Sequence, residues 1–299
     1  MRIPKVNLRI FGSIVALLIL AYLIRMVVKN WHEVQHYEWH LKWGWLLASL
    51  ILIGLTHNFM VFVWNLLLRS FGYSLEFKKL FVIWWLAAMG RYLPGKMWQL
   101  VGLAVLAEHE GVPAEVTTST SILTQMLSII SGLLIAIPTV LVVKPDSLFV
   151  LLIAIFALLI AVYPPIFQRL VNFVGKRFRG IEIEVKLSVV KLLEIIGFYL
   201  LGWVAYGVGF NMFLHGIADI EITPLIIPIY AFSYVVGLIS IFVPGGLGVR
   251  EGLITLFLGK WVSSGVASAT AIAARIWMTL IEVIFFVAAI GMSKKTLRK

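Results

Sequence analysis

Long apolar stretches dominate this chain and limit what it can fold into. A bilayer span needs about 20 predominantly apolar residues, and six stretches meet or approach this requirement: 8–28, 43–68, 118–143, 148–164, 189–214 and 266–292. Hydrophobic residues make up 61% of the 299 positions and charged residues only 13%, against about 25% charged in ordinary soluble domains. No water-soluble core could bury so much apolar sequence. The sequence therefore predicts an all-α polytopic membrane protein with at least six transmembrane helices.

The basic residues predict how the chain is oriented. The formal net charge is +11, but most Lys and Arg residues flank apolar stretches, which favours contact with anionic lipid headgroups over nucleic acid binding. Three cations precede residue 10, three lie in 69–79, five in 169–186 and four in 294–299. The connection around Lys144 has one and the stretch 215–221 has none. Because cytoplasmic loops are enriched in cations, we expect both termini on the cytoplasmic side of the cell membrane.

The first apolar stretch follows Arg2, Lys5 and Arg9, as in a signal peptide. It is too long for one, and Arg25 and Lys29 follow it in place of a cleavage site of small residues. We therefore expect an uncleaved first span. Cysteine is absent from the sequence, which excludes disulfides and thiolate catalysis.

Two further apolar segments, 77–107 and 225–258, are each interrupted by a Pro-Gly pair, at Pro94-Gly95 and Pro244-Gly245. Proline lacks an amide proton and glycine adopts unusual dihedral angles, so Pro-Gly ends a helix. The arms of the first segment have 13 and 11 residues and reach only about 16–20 Å, less than about 30 Å of hydrocarbon. A re-entrant hairpin that enters and leaves on the cytoplasmic side fits these lengths. The first arm of the second segment, 225–243, is long enough to cross, so a full span is an alternative there.

The two interrupted segments are also related to each other. At an offset of 150, Pro94 matches Pro244, Gly95 matches Gly245 and Gly102 matches Gly252, and the surrounding identities need no gap. Each half, 1–147 and 148–299, then holds three spans and one hairpin, so the halves have opposite orientations. We interpret the chain as one transmembrane domain built from an inverted repeat. Such repeats commonly place broken helices near the midplane, where they form the binding site of a transporter.

Charged residues flank both Pro-Gly pairs. Arg91 and Lys96 lie beside the first, and Gly246, Gly248, Arg250 and Glu251 follow the second. A charge at membrane depth costs about 2.5–3.5 kcal/mol on insertion scales, so it is a functional candidate. The cations could bind a phosphate together with helix-start amides, and Glu251 could pair with Arg250, accept a proton or meet a cationic headgroup. The alternative is that these side chains reach to the interface or pair only with each other.

Polar residues also occur within the predicted spans. Arg275 and Glu282 are seven residues apart and so share one helical face; they form either a structural ion pair or part of the binding site. The motif Thr56-His57-Asn58 favours an interhelical contact over a proton relay. Small polar residues at three- and four-residue steps favour helix packing over a water-lined face: Thr117, Ser121, Thr124, Ser128 and Ser131.

The motifs RYLPGKMWQ and FVPGGLGVREG, taken together, resemble the lysylphosphatidylglycerol synthase transmembrane region family, the flippase-like module also found in multiple peptide resistance factor proteins. The resemblance covers nearly the whole chain and implies translocation of a charged-headgroup lipid, such as an aminoacylated phosphatidylglycerol, between leaflets. It implies substrate-binding roles for the matching positions: Arg91, Pro94, Gly95, Lys96, Pro244, Gly245, Gly246, Gly248, Arg250 and Glu251.

Bifunctional members of that family carry a soluble aminoacyl-transferase domain, and these 299 residues do not include one. We therefore expect that the chain does not itself make an aminoacyl lipid. Its cargo could be another lipid, for instance a polyprenyl-phosphate-linked glycolipid. The expected partners are membrane lipids with phosphate-containing headgroups, and a separate lipid-modifying enzyme is a further candidate.

Two other functions fit parts of the sequence. His32-Glu33-Val34-Gln35-His36 matches the H-E-x-x-H zinc motif of metalloproteases, but catalysis also needs a third protein ligand and a cleft, and the 14-residue connection 29–42 offers little scaffold for either. An ion-coupled transporter of a soluble anion fits the inverted repeat equally well. The chain lacks a G-x-x-x-x-G-K-[ST] loop, so we expect no ATP-driven step. We also expect the chain to be a transporter and not an enzyme, and we expect no cofactor. Movement would be downhill or ion-coupled, with Glu251 and Glu282 as candidate proton sites.

Overall fold

The architecture is known from a computed structural model that describes residues 21, 24, 25, 27–92, 97–179, 185–218, 224–240, 243 and 246–296. The predicted all-α fold is confirmed, since the described residues form helices joined by short connections, with one isolated β-bridge between Trp39 and Ala218. The α-helices are α1 (Trp31–His36), α2 (Trp43–Arg69), α3 (Phe77–Ala88), α4 (Trp98–His109), α5 (Ala114–Val143), α6 (Leu148–Val162), α7 (Pro164–Arg179), α8 (Val189–Ile217), α9 (Ile226–Ile239), α10 (Val249–Leu258) and α11 (Ser264–Thr296).

Five helical segments are long and apolar enough to cross a membrane: Trp43–Arg69, Ala114–Val143, Pro145–Val162, Val189–Ile217 and Ser264–Ser293. They correspond to the second to sixth predicted spans, with ends that differ by a few residues. The largest shift is at α5, which starts at Ala114 because Pro113 ends the preceding turn and a helix begins readily after it. The first predicted span, 8–28, lies almost entirely outside the described residues.

The first interrupted segment folds as two short antiparallel helices. Helix α3 runs into a 3-10 turn, Met89–Tyr92, and α4 follows at Trp98. A Cβ atom at Gly102 would lie 3.2 Å from the Cβ of Ala87, so the helices approach closely near the break. At the other end, Lys79 Nζ lies 2.5 Å from Glu110 Oε2. The ion pair and the glycine contact hold α3 and α4 side by side along their length.

The second interrupted segment has the same form. Helix α9 ends at Ile239 and has 14 residues, and α10 has 10. At 1.5 Å per residue α9 is about 21 Å long, so this helix alone does not cross about 30 Å of hydrocarbon. The two helices pack against each other. A Cβ atom at Gly246 would lie 2.8 Å from the carbonyl oxygen of Gly237, which shows how closely the turn approaches α9.

The chain divides into two compact units. Unit 1 contains the described residues of Met1–Gly54, Gly90–Trp98 and Ala205–Ile284, and unit 2 those of Leu55–Met89, Gln99–Val204 and Phe285–Lys299. Helices α2, α8 and α11 each contribute residues to both.

Helices α2 and α8 pack through a row of glycines spaced seven residues apart. In unit 1, Cβ atoms added at Gly209 and Gly216 would lie 2.5 Å from Ile53 and 2.7 Å from Leu46. In unit 2, a Cβ at Gly202 would lie 2.5 Å from Met60. The partners on α2 are also seven residues apart and run in the opposite direction, so the helices are antiparallel. The missing side chains let the backbones approach closely, as small residues do in other membrane helices.

Polar residues of the predicted spans contact neighbouring helices in unit 2. The His57 ring stacks on Trp85, with centroids 5.6 Å apart, and Trp85 Nε1 donates to Asn58 Oδ1 at 3.4 Å. Trp203 Nε1 donates to the carbonyl oxygen of Ser128 at 2.9 Å. These contacts fit the predicted packing roles of Thr56-His57-Asn58 and of the small polar residues on α5. Thr117, Ser121 and Ser131 are buried.

Candidate functional site

A cluster of charged side chains lies within unit 1. Arg91 Nη1 donates to Glu282 Oε1 at 2.9 Å, and the hydroxyl of Tyr92 donates to Glu282 Oε2 at 2.6 Å. Arg91 and Tyr92 belong to the 3-10 turn beside the first Pro-Gly pair, and Glu282 belongs to α11. Both oxygens of Glu282 are therefore held by the turn, so this ion pair fixes the turn against α11.

The second Pro-Gly pair leads into the start of α10. Gly246 and Gly248 have φ angles of +66° and +81°, which glycine adopts without strain. The amide of Gly248 donates to Glu251 Oε2 at 2.6 Å, so Glu251 caps the first turn of its own helix. A carboxylate at this position also interacts favourably with the positive end of the helix dipole. Glu251 is 2% exposed.

Arg250 and Arg275 share the other oxygen of Glu251. The Nε atoms of Arg250 and Arg275 lie 3.9 and 3.8 Å from Glu251 Oε1, which is beyond hydrogen-bond distance. Arg250 is 8% exposed. Among the described residues neither guanidinium group has a hydrogen-bond partner. The pair therefore presents unused donors around one loosely held carboxylate oxygen.

Both guanidinium groups lie over the rings of tyrosines. The Arg250 Cζ atom lies 4.9 Å from the centroid of Tyr234, and the Arg275 Cζ atom 5.6 Å from that of Tyr92. Tyr206 and Tyr230 are close enough to Arg91 and Arg250, respectively, to interact with them electrostatically. We call the following residues the arginine cluster: Arg91, Tyr92, Tyr234, Arg250, Glu251, Arg275 and Glu282.

The structure brings together every described charged residue that the sequence singled out at the Pro-Gly pairs and on α11. Pro94, Gly95, Lys96, Pro244 and Gly245 lie outside the described residues. Arg275 and Glu282 lie on one face of α11, since Tyr92 contacts both, but their close partners differ from the predicted mutual pair: Arg275 lies near Glu251, and Glu282 binds Arg91. The tertiary fold therefore places Glu251 of α10 closest to Arg275, and Arg91 of the 3-10 turn closest to Glu282.

Sequence reasoning missed the tyrosines. Tyr92 lies inside the first motif, between Arg91 and Pro94. The prediction considered only charged residues, proline and glycine in that motif. Tyr230 and Tyr234 are four residues apart and therefore share one face of α9, just before the second break. Two aromatic residues at this spacing, close in sequence to arginines that were predicted to bind the substrate, could have indicated these contacts. Such spacings are common in membrane helices, so the pattern is not specific.

The H-E-x-x-H motif forms the short helix α1. The rings of His32 and His36 stack with centroids 4.1 Å apart, and His36 Nδ1 lies 2.7 Å from the carbonyl oxygen of His32. Within the described part of the chain, no group of three His, Cys, Asp or Glu residues is arranged to hold a metal ion. Among the residues that the structure describes, the motif therefore has no third ligand of the kind that a zinc site requires.

Five helices that are long and apolar enough to cross a membrane define a polytopic α-helical membrane protein. The arginine cluster, in which Arg250, Glu251 and Glu282 are buried, is its candidate functional site. The profile of the Lysylphosphatidylglycerol synthase TM region family matches residues 9–290, and the chain belongs to this family. The resemblance of the two Pro-Gly motifs is thereby confirmed, and with it a place in a lipid-related, flippase-like family of membrane proteins. None of the curated proteins matches the chain.

Proposed function

We propose that this protein moves a lipid with a charged, phosphate-containing headgroup between the leaflets of the cell membrane. Family membership supports a lipid as the cargo. The observation that carries the proposal is the Arg250–Arg275 pair, in which two guanidinium groups have no hydrogen-bond partner among the described residues and share one distant carboxylate oxygen. Arginine donates two parallel hydrogen bonds to phosphate, which makes it well suited to this ligand.

The positions of the helices support a repeated architecture for this transporter. At an offset of 150, α5 at Ala114 corresponds to α11 at Ser264, and α3 and α4 correspond to α9 and α10 within one residue at their starts. Helix α2 corresponds to α8 within four residues. In our proposal the halves are inverted, the two broken elements are re-entrant hairpins from opposite faces, and both termini are cytoplasmic.

The proposal assigns no bond-making step to the chain. The work of the site is to replace the hydration of a headgroup with fixed protein donors while the lipid changes leaflets. Movement is either downhill or coupled to an ion gradient. The cargo is an aminoacyl-phospholipid or a polyprenyl-phosphate-linked glycolipid.

Reconstitution in liposomes tests the proposal. Fluorescent lipids with different headgroups are placed in one leaflet, and their exchange is followed with a membrane-impermeant quencher. We expect exchange by the wild type and a loss of at least about tenfold in the Arg250→Gln/Arg275→Gln variant, since each charged hydrogen bond contributes roughly 1.5–3 kcal/mol. Lys191→Gln is the matched control because Lys191 forms an exposed ion pair with Glu194 on α8. Equal exchange by all three proteins would refute the proposal, and uptake of a soluble anion without lipid exchange would favour the soluble-anion transporter.

A further inference from the structure

The charge balance of the arginine cluster selects among possible headgroups. Its described residues carry three guanidinium groups, on Arg91, Arg250 and Arg275, and two carboxylates, on Glu251 and Glu282, which leaves a net charge of +1. We infer that the site takes a lipid phosphate whose headgroup is net negative, that it rejects cationic aminoacyl headgroups, and that a phosphate oxygen takes the position that Glu251 Oε1 holds between the two arginines. This inference rests on the proposed function and narrows its substrate class.

Neither carboxylate of the cluster is open to an incoming ammonium group. Glu282 accepts hydrogen bonds from Arg91 at 2.9 Å and Tyr92 at 2.6 Å, one on each oxygen. Glu251 uses Oε2 for the Gly248 amide, and its Oε1 lies between two arginines. An ammonium group beside either carboxylate would therefore also lie within a few ångströms of a guanidinium group. In a medium of low dielectric constant this repulsion is strong.

The tyrosines contact both arginines without using their hydrogen-bond donors. Arg250 Cζ lies 4.9 Å from the ring centroid of Tyr234, and Arg275 Cζ lies 5.6 Å from that of Tyr92. Such a cation–π contact involves the positive charge and leaves the guanidinium N–H donors available. Two guanidinium groups beside one carboxylate oxygen match the several acceptor oxygens of a phosphate.

The position of Glu251 Oε1 identifies what a phosphate would displace. This oxygen is buried and has no hydrogen-bond partner among the described residues, and it lies 3.8–3.9 Å from both Nε atoms. A buried acceptor without a hydrogen bond is costly, so the oxygen is held by charge alone. A phosphate oxygen at 2.8–2.9 Å, the usual length of such a bond, would bind the arginines better. The Gly248 cap uses the other oxygen and can persist during the exchange.

The wild-type protein in proteoliposomes tests the headgroup selection. Four lipids with the same fluorescent acyl chain are compared: phosphatidic acid and phosphatidylglycerol, which are anionic, phosphatidylcholine, which is zwitterionic, and lysyl-phosphatidylglycerol, which is net cationic. We expect the anionic lipids to exchange at least about tenfold faster than the cationic one, as a change of sign a few ångströms from a charge requires. Equal or faster exchange of the cationic lipid overturns the charge selection while leaving lipid transport intact. No exchange of any of these lipids, nor of a labelled polyprenyl-phosphate-linked glycolipid, refutes the proposed function.

Two further measurements test the ligand source and the role of Glu251. Uptake of labelled inorganic phosphate into the same vesicles without lipid exchange would assign the anion site to a soluble ligand and overturn the lipid assignment.

Binding of phosphatidic acid to protein in nanodiscs should tighten about tenfold in Glu251→Gln, because a competing charge is removed while the amide oxygen can still cap Gly248. If a Glu251→Gln protein with the wild-type thermal unfolding midpoint bound phosphatidic acid equally well or more weakly, Glu251 would not compete with phosphate for the two arginines.

Discussion

At the scale of single residues, the arginines of the cluster have different roles although the sequence makes them look alike. Arg91 is bonded at 2.9 Å to a carboxylate that Tyr92 also holds. Arg250 and Arg275 have only distant contacts with Glu251. We expect the first arrangement to stabilise the fold, whereas in the second the guanidinium N–H groups have no hydrogen-bond partner among the described residues, as our proposed phosphate site requires. Substitutions should therefore separate stability from binding.

Replacing Glu282 with glutamine should destabilise the protein. The substitution removes the charge of a carboxylate that accepts hydrogen bonds from Arg91 at 2.9 Å and from Tyr92 at 2.6 Å. Hydrogen bonds to a charged group contribute roughly 1.5–3 kcal/mol, so we expect a loss of stability in that range. The free energy of unfolding, measured by titration with SDS, checks this. Glu194→Gln is the control, because its pair with Lys191 is exposed and should change stability by no more than about 0.5 kcal/mol. Equal effects of the two substitutions would contradict the stabilising role of the Arg91–Glu282 pair.

At the scale of elements, each Pro-Gly interruption is a pair of short helices whose contact depends on glycine. Gly102 lets α4 approach Ala87, and Gly246 lets the second turn approach Gly237. The sequence indicated the breaks because proline and glycine act locally. The close contacts depend on where the partner helix lies, which no local pattern encodes.

Substituting alanine at Gly246 should destabilise the second element. The residue has φ +66°, and a Cβ atom would lie 2.8 Å from the Gly237 carbonyl oxygen, so strain and a backbone clash combine to cost about 2 kcal/mol or more. The Tm of the purified protein, measured by light scattering or size-exclusion analysis, should fall. Gly197→Ala serves for comparison, since Gly197 lies within α8 and no atom of the described residues lies within 4 Å of an added Cβ. Alanine there should raise stability by up to about 1 kcal/mol. A Gly246→Ala protein as stable as Gly197→Ala would exclude the close approach.

Cysteine labelling should place both ends of the first element on one side of the membrane. The sequence has no cysteine, so Lys78→Cys and Glu108→Cys introduce unique thiols, and both positions are exposed. A membrane-impermeant maleimide should react with both in inside-out vesicles and with neither in right-side-out vesicles. Labelling from opposite sides would show that α3 and α4 together cross the membrane, and would remove the re-entrant hairpin.

At the scale of the whole molecule, the long helices α2 and α8 pack against each other in antiparallel directions. They are also the helices that would correspond to each other in a repeat at an offset of 150. Their contact uses Gly202, Gly209 and Gly216 on one helix and Met60, Ile53 and Leu46 on the other. The hydroxyl of Ser49 adds a 2.7 Å hydrogen bond to the carbonyl oxygen of Gly209. Packing of this kind replaces the hydrophobic effect, which does not drive helices together within lipid.

A leucine at Gly209 should separate α2 from α8. An added Cβ would already lie 2.5 Å from Ile53 Cγ1, so a larger side chain requires the helices to move, at a cost of about 2–3 kcal/mol. We expect a lower Tm together with reduced lipid exchange. Leucine at Gly197, where no atom of the described residues lies within 4 Å of an added Cβ, should lower neither the Tm nor the lipid exchange. If the Gly209→Leu protein behaved in the same way, the glycine contact would not contribute to the fold.

The sequence by itself determined the membrane class, the five spans that fall within the described residues, the two breaks and the charged residues beside them. These features are local, because the length of an apolar stretch, the missing amide of proline and the cost of a charge in hydrocarbon all act within one segment. Only the tertiary structure decided that Glu282 pairs with Arg91, that Arg250 and Arg275 share Glu251, and that α9 ends at Ile239. The ion pairs depend on which side chains, far apart in sequence, come within a few ångströms of each other. That distance is set by the packing of separate helices, which no local sequence pattern encodes.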